Sequence, residues 1–347
     1  MSTTTLAHDP LVRTAPAGIE PGWFDRFYVN VHAGPVAPMF MIGAGVYPAE
    51  SLVDGYAVAV TAKEQINLRV SDVVTGSTLP GAVGPLSWEV VEPAVRWRVR
   101  VAENPSGIAC DLTWTARTAP WGCDEIVLSD GNEVRTFDHS FQSGHHEGWV
   151  EVDGVRTEIA GWTGQHDRSR GRRHATAGQG LHLWVQGQFA ADSVAFMLDL
   201  DRDNVHTLLD GAVLAADGST DRIVAVEHEL SFDDDLETPG GRLGLTTESG
   251  RAFELLVDSA ATRGGFLEGA GYGRFHGKPQ GSGHVEHDRW DLLDPANIPR
   301  NLGYPLTDRL SGFTRVEGGT SEQGAGIFEF AHSRSPRYRY RPGSARR

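Results

Sequence analysis

Trp149-Val150-Glu151-Val152-Asp153-Gly154-Val155-Arg156-Thr157-Glu158-Ile159 decides the fold class. Two runs of alternating β-branched and polar residues flank Asp153-Gly154, and an Asp-Gly pair supplies the positive φ angles of a tight hairpin turn. The stretch reads as an antiparallel hairpin. The same style recurs outward about every ten residues. Residues 23–31 are aromatic and β-branched, and residues 96–101 alternate so that Trp97, Val99 and Val101 share one face of a sheet. Residues 111–116 alternate in the same way. Downstream, residues 181–186, 194–199, 222–227 and 253–257 read as strands, and residues 208–213 hold a further hairpin signal. Helical periodicity is scarce, with one short helix expected within residues 295–310. Closely spaced antiparallel strands predict an all-β protein built from barrels or sandwiches, with few short helices.

Composition agrees. The 347 residues include 42 glycines alongside nine Trp and 14 Phe, which suits strands and tight turns better than a helical bundle. That length allows one large or two ordinary domains. The net charge of −15 argues against nucleic-acid binding, which requires cationic surface. No run is apolar enough for a transmembrane helix, so no stable membrane insertion is expected. Residues 1–5 lack the basic and apolar regions of a signal peptide, and the expected compartment is the cytoplasm. Cys110 and Cys123 read as packing residues.

Residues 1–20 read as a loose, disordered tail and residues 333–347 as a solvated basic tail, with Tyr338 and Tyr340 as a possible edge strand. Gly164-Gln165-His166-Asp167-Arg168 is echoed 121 residues later by Val285-Glu286-His287-Asp288-Arg289. If that echo is a duplication, the chain holds two similar β-domains, residues 21–175 and 176–332.

Residues 164–173 gather one acid, one imidazole and four guanidinium groups. Alternation puts His166, Arg168 and Arg170 on one face and Asp167, Ser169 and Gly171 on the other. An aspartate facing an apolar interior has its pKa raised, and so can act as a general acid. The other reading of Asp167 is a structural Asp–Arg pair between sheets. Asp199 emerges from the apolar run 194–198 and is a second candidate acid, with a strand-end turn as the alternative. His145-His146-Glu147 and His284-x-Glu286-His287 crowd potential ligands, but strand alternation separates them, so no metal site is expected. No phosphate loop, nucleophile elbow or dinucleotide fingerprint is present, and no cofactor is expected.

The segment resembles the Gly-x-Arg-Asp-His-Ser-Trp-Gly-x-Arg signature of the lipocalin-like carotenoid 1,2-hydratase (hydroxyneurosporene synthase) family. Trp23-Phe24-Asp25-Arg26-Phe27-Tyr28, Gly43-Ala44-Gly45-Val46-Tyr47-Pro48, Asp54-Gly55, Gln65-Ile66-Asn67-Leu68-Arg69 and Phe141-Gln142-Ser143-Gly144 follow in the family's order. The resemblance covers roughly residues 21–200, and 250–290 more faintly. It implies two consecutive lipocalin-like (calycin) β-domains with an apolar cavity near their junction. It also implies hydration of prenyl double bonds, or cyclisation including Diels–Alder catalysis. Asp167, Ser169, Gly171 and Arg173 match, whereas Arg168 and Arg170 replace the family's histidine and tryptophan. In the hydratases a further acid about thirty residues on is a candidate proton donor, and here that strand carries Asp199. Glu286 matches a glutamate the family often has after a Gly-x-Gly approach.

The expected activity is that of a hydro-lyase or a terpenoid or polyene cyclase. A lipophilic isoprenoid-like substrate is protonated at a C=C bond by Asp167 or Asp199, with His166 and Arg168 orienting the acid. Trp97, Trp114, Trp149, Trp162, Trp184 and Phe196 are candidates to line an apolar barrel pocket, since aromatic faces stabilise cations. The alternatives are a shape-driven pericyclic cyclase and a non-catalytic lipophile carrier. The only partner expected is this hydrophobic small molecule, on a monomer or homodimer.

Overall fold

The Asp153-Gly154 turn forms with both residues in the left-handed region, at φ +52° and +78°, and pairs Val152 with Val155. It belongs to a computed structural model that describes residues 9–14, 17–18, 20–75, 80–123, 126–129, 134–172, 178–294, 296 and 298–347. Strands make up 62% of the chain and helix 3%, an all-β protein as expected.

The first half supplies β1 (Trp23–His32), β2 (Met39–Tyr47), β3 (Leu52–Val60), β4 (Glu64–Val73), β5 (Ala82–Val83) and β6 (Leu86–Glu92). It continues with β7 (Arg96–Val101), β8 (Ile108–Ala116), β9 (Trp121–Gly122), β10 (Ile126–Ser129), β11 (Val134–Val152) and β12 (Val155–Arg172). The second half supplies β13 (Gln179–Gln188), β14 (Asp192–Asp201), β15 (His206–Ala215), β16 (Thr220–Ser231), β17 (Gly240–Thr247) and β18 (Ala252–Asp258). The last strands are β19 (His284–Asp291), β20 (Leu306–Glu317), β21 (Thr320–His332) and β22 (Gly343–Arg346).

Strands β13 to β18 with β20 and β21 close into an eight-stranded barrel, to which β22 adds beside β16. The other strands form a 13-stranded sheet curled into a half-barrel. Both are held by alternation. In β7, Trp97, Val99 and Val101 are buried, and Trp97 lies opposite Trp114 of β8 inside the half-barrel. Leu181, Leu183, Val185, Phe196, Leu198, Phe313, Phe328 and Phe330 fill the closed barrel.

Several expectations give way to pairing across the chain. The strand carrying the second copy of the echo, β19, adds to β4 at the edge of the first sheet, the sheet that also holds β12. The two copies therefore do not occupy equivalent places in two sheets. The later part of the expected helix within residues 295–310 is strand β20, because hydrogen bonding to β18 and β21 on both sides outweighs local periodicity. Among the described residues the one α-helical turn is α1 (Leu267–Ala270). The basic C-terminal segment docks, with Tyr338 fully buried and β22 paired to β16, because the barrel leaves an edge there. Near the N-terminus Leu11 is buried, and Val12 N–H donates to Asp25.

The junction-facing side of the half-barrel sheet packs on the outer wall of the barrel. Tyr28, Met41 and Tyr56 meet Leu310 and Ile327 there, and Phe141 meets Trp184 and Met197. Asn30 donates to Gln186 at 2.7 Å across the same seam.

On the opposite face of β1 and β12, Arg168 donates to Asp25 at 2.6 Å with both side chains fully buried. Breaking a buried pair strands one charge without solvent. Asp25→Ala is expected to cost about 3–5 kcal/mol in urea unfolding. Adding Arg168→Met to it is expected to recover part of the loss.

Candidate functional site

Residues directly opposite each other in antiparallel strands share a face. On the junction side of the first sheet one such row runs Tyr56, Gly43, Tyr28, Asp167, Phe141, Trp121. On the barrel's outer wall another runs Asp308, Glu329, Trp184, Met197, Asp210. The rows meet residue by residue. Tyr28 Oη donates to Asp308 Oδ2 at 2.6 Å, Phe141 and Trp184 stack edge to face at 4.6 Å, and Trp121 Nε1 donates to Asp210 at 3.1 Å. Asp167 lies between Tyr28 and Phe141 in its row, which brings it against the Asp308–Glu329 pair.

Asp308, 1% exposed, is the most deeply buried acid of this cluster. Burial pushes its carboxyl well above the ordinary range. The charge of Glu329, a hydrogen bond shared with Glu329 and the charge of Asp167 push it further, against the bond from Tyr28. Among the described residues no donor reaches Asp308 Oδ1, and Glu329 is the group that shares a hydrogen bond with this carboxyl besides Tyr28. Burial and the neighbouring carboxyl groups thus favour the protonated form of Asp308.

A second chain feeds Glu329. His182 Nε2 lies 2.9 Å from Glu329, and His182 Nδ1 lies 2.5 Å from Asp199, which is buried. Burial alone would lower the imidazole pKa. The charge and hydrogen bond of Asp199, then those of Glu329, outweigh it and raise His182 to about 9. His182 is an imidazolium clamped between two carboxylates. Tyr304, buried with an unpartnered hydroxyl, is held well above its ordinary pKa by burial and then by Asp199. Asp167, Glu329 and His182 keep side-chain exposures of 13%, 13% and 16%, whereas Asp308 and Asp199 are buried.

Of the residues singled out from the sequence, the junction gathers Asp167, Asp199 and Trp184. His139 Nε2 lies 3.7 Å from Asp167, and the His139 ring lies 5.2 Å from that of Trp184. His166 and Arg168 are on the opposite face of β12, as alternation requires, and cannot orient Asp167. His166 packs between Trp97 at 4.4 Å and Trp114 at 5.2 Å, and burial, then Arg168, push its pKa well down. The structural Asp–Arg pair exists, but the aspartate is Asp25. Trp162 packs against the core of the half-barrel. Trp149, eight residues along β11 from Phe141, lines a groove of about 650 Å³ with Arg100 and Asp111 and stacks under Arg156 at 4.1 Å. Phe196 is buried inside the barrel, whose interior is filled by side chains such as Leu183, Phe313, Phe328 and Phe330, so the expected barrel pocket is not there. Glu286 receives Arg69 at 2.6 Å and Arg274 at 3.0 Å at the edge of the first sheet. Arg173 lies outside the described residues. Among the described residues no three His, Cys, Asp or Glu side chains are placed to hold a metal ion.

Tyr28, Asp308 and Glu329 were not legible as a site. Glu329 carried a signal, since Ile327-Phe328-Glu329-Phe330-Ala331 sets an acid in an apolar run, as for Asp199. Asp308 was hidden by the helical reading of its segment.

Residues 7–331 match a family described as a family of unknown function (DUF8625). The chain belongs to that family. No curated protein matches the sequence. Solved structures share the fold at low identity. Kievitone hydratase from Nectria haematococca is 13% identical with a TM-score of 0.55, over 93% of this chain and 94% of that one. A Nitrosomonas europaea protein described as a candidate AttH is 12% identical with a TM-score of 0.57, over 92% and 99%. CghA is 12% identical with a TM-score of 0.51, over 91% and 90%.

The His182 clamp has a stability signature. Because its folded pKa is raised from 6.5 to about 9, its contribution is complete below pH 6.5 and disappears as the pH rises through about 9. The contribution is on the order of 3 kcal/mol. His182→Gln is expected to lower the melting temperature near pH 6 and to flatten the decline in stability between pH 6.5 and 9 in thermal scans.

Proposed function

We propose that this protein is an enzyme that protonates a C=C bond of a lipophilic, isoprenoid-like substrate at the seam between the two sheets, giving hydration or cyclisation. The observation that carries the reading is the buried Asp308, set opposite Glu329 and bonded by Tyr28, within a seam walled by Phe141 and Trp184. The kind of reaction is also that named for the kievitone hydratase whose fold this chain shares.

Asp308 transfers its proton to one alkene carbon. A C–H bond forms, the π pair is consumed, and the neighbouring carbon becomes a carbocation facing the newly formed carboxylate. Aromatic faces such as Trp184 contribute on the order of 1–2 kcal/mol each to a desolvated cation. Water then forms the C–O bond and returns one proton to the Asp308–Glu329 pair, so hydration is balanced without a cofactor. In cyclisation an internal double bond attacks instead, and the adjacent C–H returns the proton. Asp167 and the His182–Asp199 chain act as positioning residues that fix the charge around the pair.

Asp308→Asn is expected to lower kcat by about 10²–10⁴ in a mass-spectrometric assay of prenylated and polyene alkenes, with KM nearly unchanged. In heavy water the product is expected to carry one non-exchangeable deuterium; a product without it would mean a pericyclic reaction. The rate depends on protonated Asp308, so it is expected to fall as the pH rises through the raised pKa. Glu329→Gln removes the like charge that helps to raise that pKa, and is expected to move the falling limb to lower pH. An unchanged profile in Glu329→Gln together with full activity in Asp308→Asn would exclude the acid pair.

A further inference from the structure

Arg337-Tyr338-Arg339-Tyr340-Arg341 takes no part in the seam, yet its alternation is held in place. Tyr338 is fully buried and Tyr340 partly so, whereas Arg337, Arg339 and Arg341 are exposed. The tyrosines fix the segment from beneath. Tyr340 Oη lies 2.9 Å from His228 Nδ1 and accepts the Leu230 N–H at 3.1 Å. Asn204 bonds the backbone of Arg339 and of Arg341, at 3.0 Å each. An extended chain anchored on alternate side chains turns the others outward together. The three guanidinium groups therefore form a comb on the surface, with a spacing of about 7 Å along the chain.

The surroundings do not neutralise the comb. No carboxylate is within ion-pair distance of Arg334, Arg337, Arg339 or Arg341 among the described residues, and Arg334, Arg339 and Arg341 donate to backbone carbonyls. Exposed arginines on the strands behave differently, since Arg98 holds Asp111 at 2.6 Å and Arg242 holds Glu254 at 2.8 Å. The adjoining turn adds Arg202, also exposed, against Asp201 and Asp203. Asp201 already accepts two N–H groups of that turn, at 2.8 and 2.9 Å. Other acids are engaged elsewhere: Glu229 pairs with Arg242 at 3.3 Å, and Asp233 and Asp235 act on Arg300. Five cations thus stand against two carboxylates, on a protein whose net charge is −15. Salt screens remote acids beyond about 8 Å at physiological ionic strength, so the local excess decides what the patch attracts.

Apolar groups flank the comb. Val205, in the same turn as Arg202, is 56% exposed, and Pro342 is exposed next to Arg341. Guanidinium forks that match phosphate oxygens, set beside apolar side chains, suit the headgroup layer of an anionic bilayer. Nucleic acid suits them less, because the comb spans only about 13 Å and the protein as a whole is acidic. We propose that Arg337, Arg339 and Arg341, with Arg202 and Arg334, form a docking surface for an anionic lipid membrane. The patch adjoins the seam. Ser333 N–H donates to Gly180 at 2.8 Å, close in sequence to His182, and Arg334 N–H donates to Gly303 at 2.9 Å, next to Tyr304. Docking sets the His182–Asp199 end of the seam at the surface of the phase in which a lipophile dissolves. The docking itself does not depend on the acid pair; its bearing on substrate supply rests on the reaction proposed above.

The test is sedimentation of the full-length protein with vesicles of phosphatidylcholine alone or mixed equally with phosphatidylglycerol. The expected result is binding about tenfold tighter or more to the anionic vesicles. That preference is expected to vanish as sodium chloride rises to about 1 M, where the screening length falls to about 3 Å. Each guanidinium near an anionic surface contributes roughly fivefold, so Arg337→Gln, Arg339→Gln and Arg341→Gln together are expected to weaken binding about a hundredfold. The corresponding lysine triple keeps the charge and is expected to bind nearly as well as the natural protein. Arg98→Gln, Arg156→Gln and Arg242→Gln together change the net charge equally and are expected to leave vesicle binding unchanged. Equal binding to the two kinds of vesicle, equal loss in the two glutamine triples, or the same loss in the lysine triple would overturn the surface. So would tighter binding of a duplex DNA probe than of anionic vesicles. A normal vesicle response with full activity in Asp308→Asn would sink the acid pair alone. No vesicle preference with Asp308→Asn inactive would sink the docking surface alone.

Discussion

Two carboxyl groups, Asp308 and Glu329, share a hydrogen bond in a place where neither is well hydrated, and that contact sets the terms for everything around it. Ionising both would put two like charges in contact at low dielectric, so one proton stays with the pair. Tyr28 fixes Asp308 Oδ2 and His182 fixes Glu329 Oε1, which leaves the remaining faces of the pair to hold that proton. The arrangement follows from the packing of a closed barrel against a second sheet. The barrel's outer wall would ordinarily be solvated, but here it is covered, and its outward-pointing acids are buried with it.

That covering explains what the sequence could and could not convey. Period-2 alternation in residues 96–101 was legible because the sheet buries only one face of that strand, whereas in the hairpin the turn residues carried the signal and Val155 to Glu158 are exposed on both faces. In β1, β2, β3 and β14 both faces are buried, so alternation disappears and the strands read as apolar runs in which single polar residues stand out. Asp199 was found by that cue. Glu329 offered the same cue from within β21. The contact between Tyr28 and Asp308 spans 280 residues, and no local pattern encodes it. The alternation of β12 was legible in full, and it already separated His166 and Arg168 from Asp167. The proposal that those two orient the acid conflicted with the pattern from which the strand was inferred.

The departures from the resembled signature take on a physical sense once the faces are assigned. Arg168 stands where the signature has histidine, and its side chain enters the half-barrel core beside Trp97, where Asp25 neutralises it. Arg170 lies on the same face and reaches Asp25 at 3.4 Å. The substitutions therefore alter how the core of the first sheet is closed around a buried ion pair. The acid-bearing face of the same strand keeps Asp167 and loses nothing.

Four carboxyl groups, Asp167, Asp199, Asp308 and Glu329, surround the seam, and their mutual repulsion would oppose folding if all were charged. One shared proton and the His182 imidazolium reduce that charge in the resting protein. In the proposed reaction the same proton is the one transferred to the substrate. When it leaves Asp308, the site becomes more negative by one charge at the moment a carbocation appears beside it. The oppositely charged groups are already in place and need no reorganisation, which is the condition under which electrostatic stabilisation of a transition state is largest. The cost of burying an acid pair in the native state and the ability to stabilise a cation in the reaction are thus the same interaction, read before and after one proton transfer.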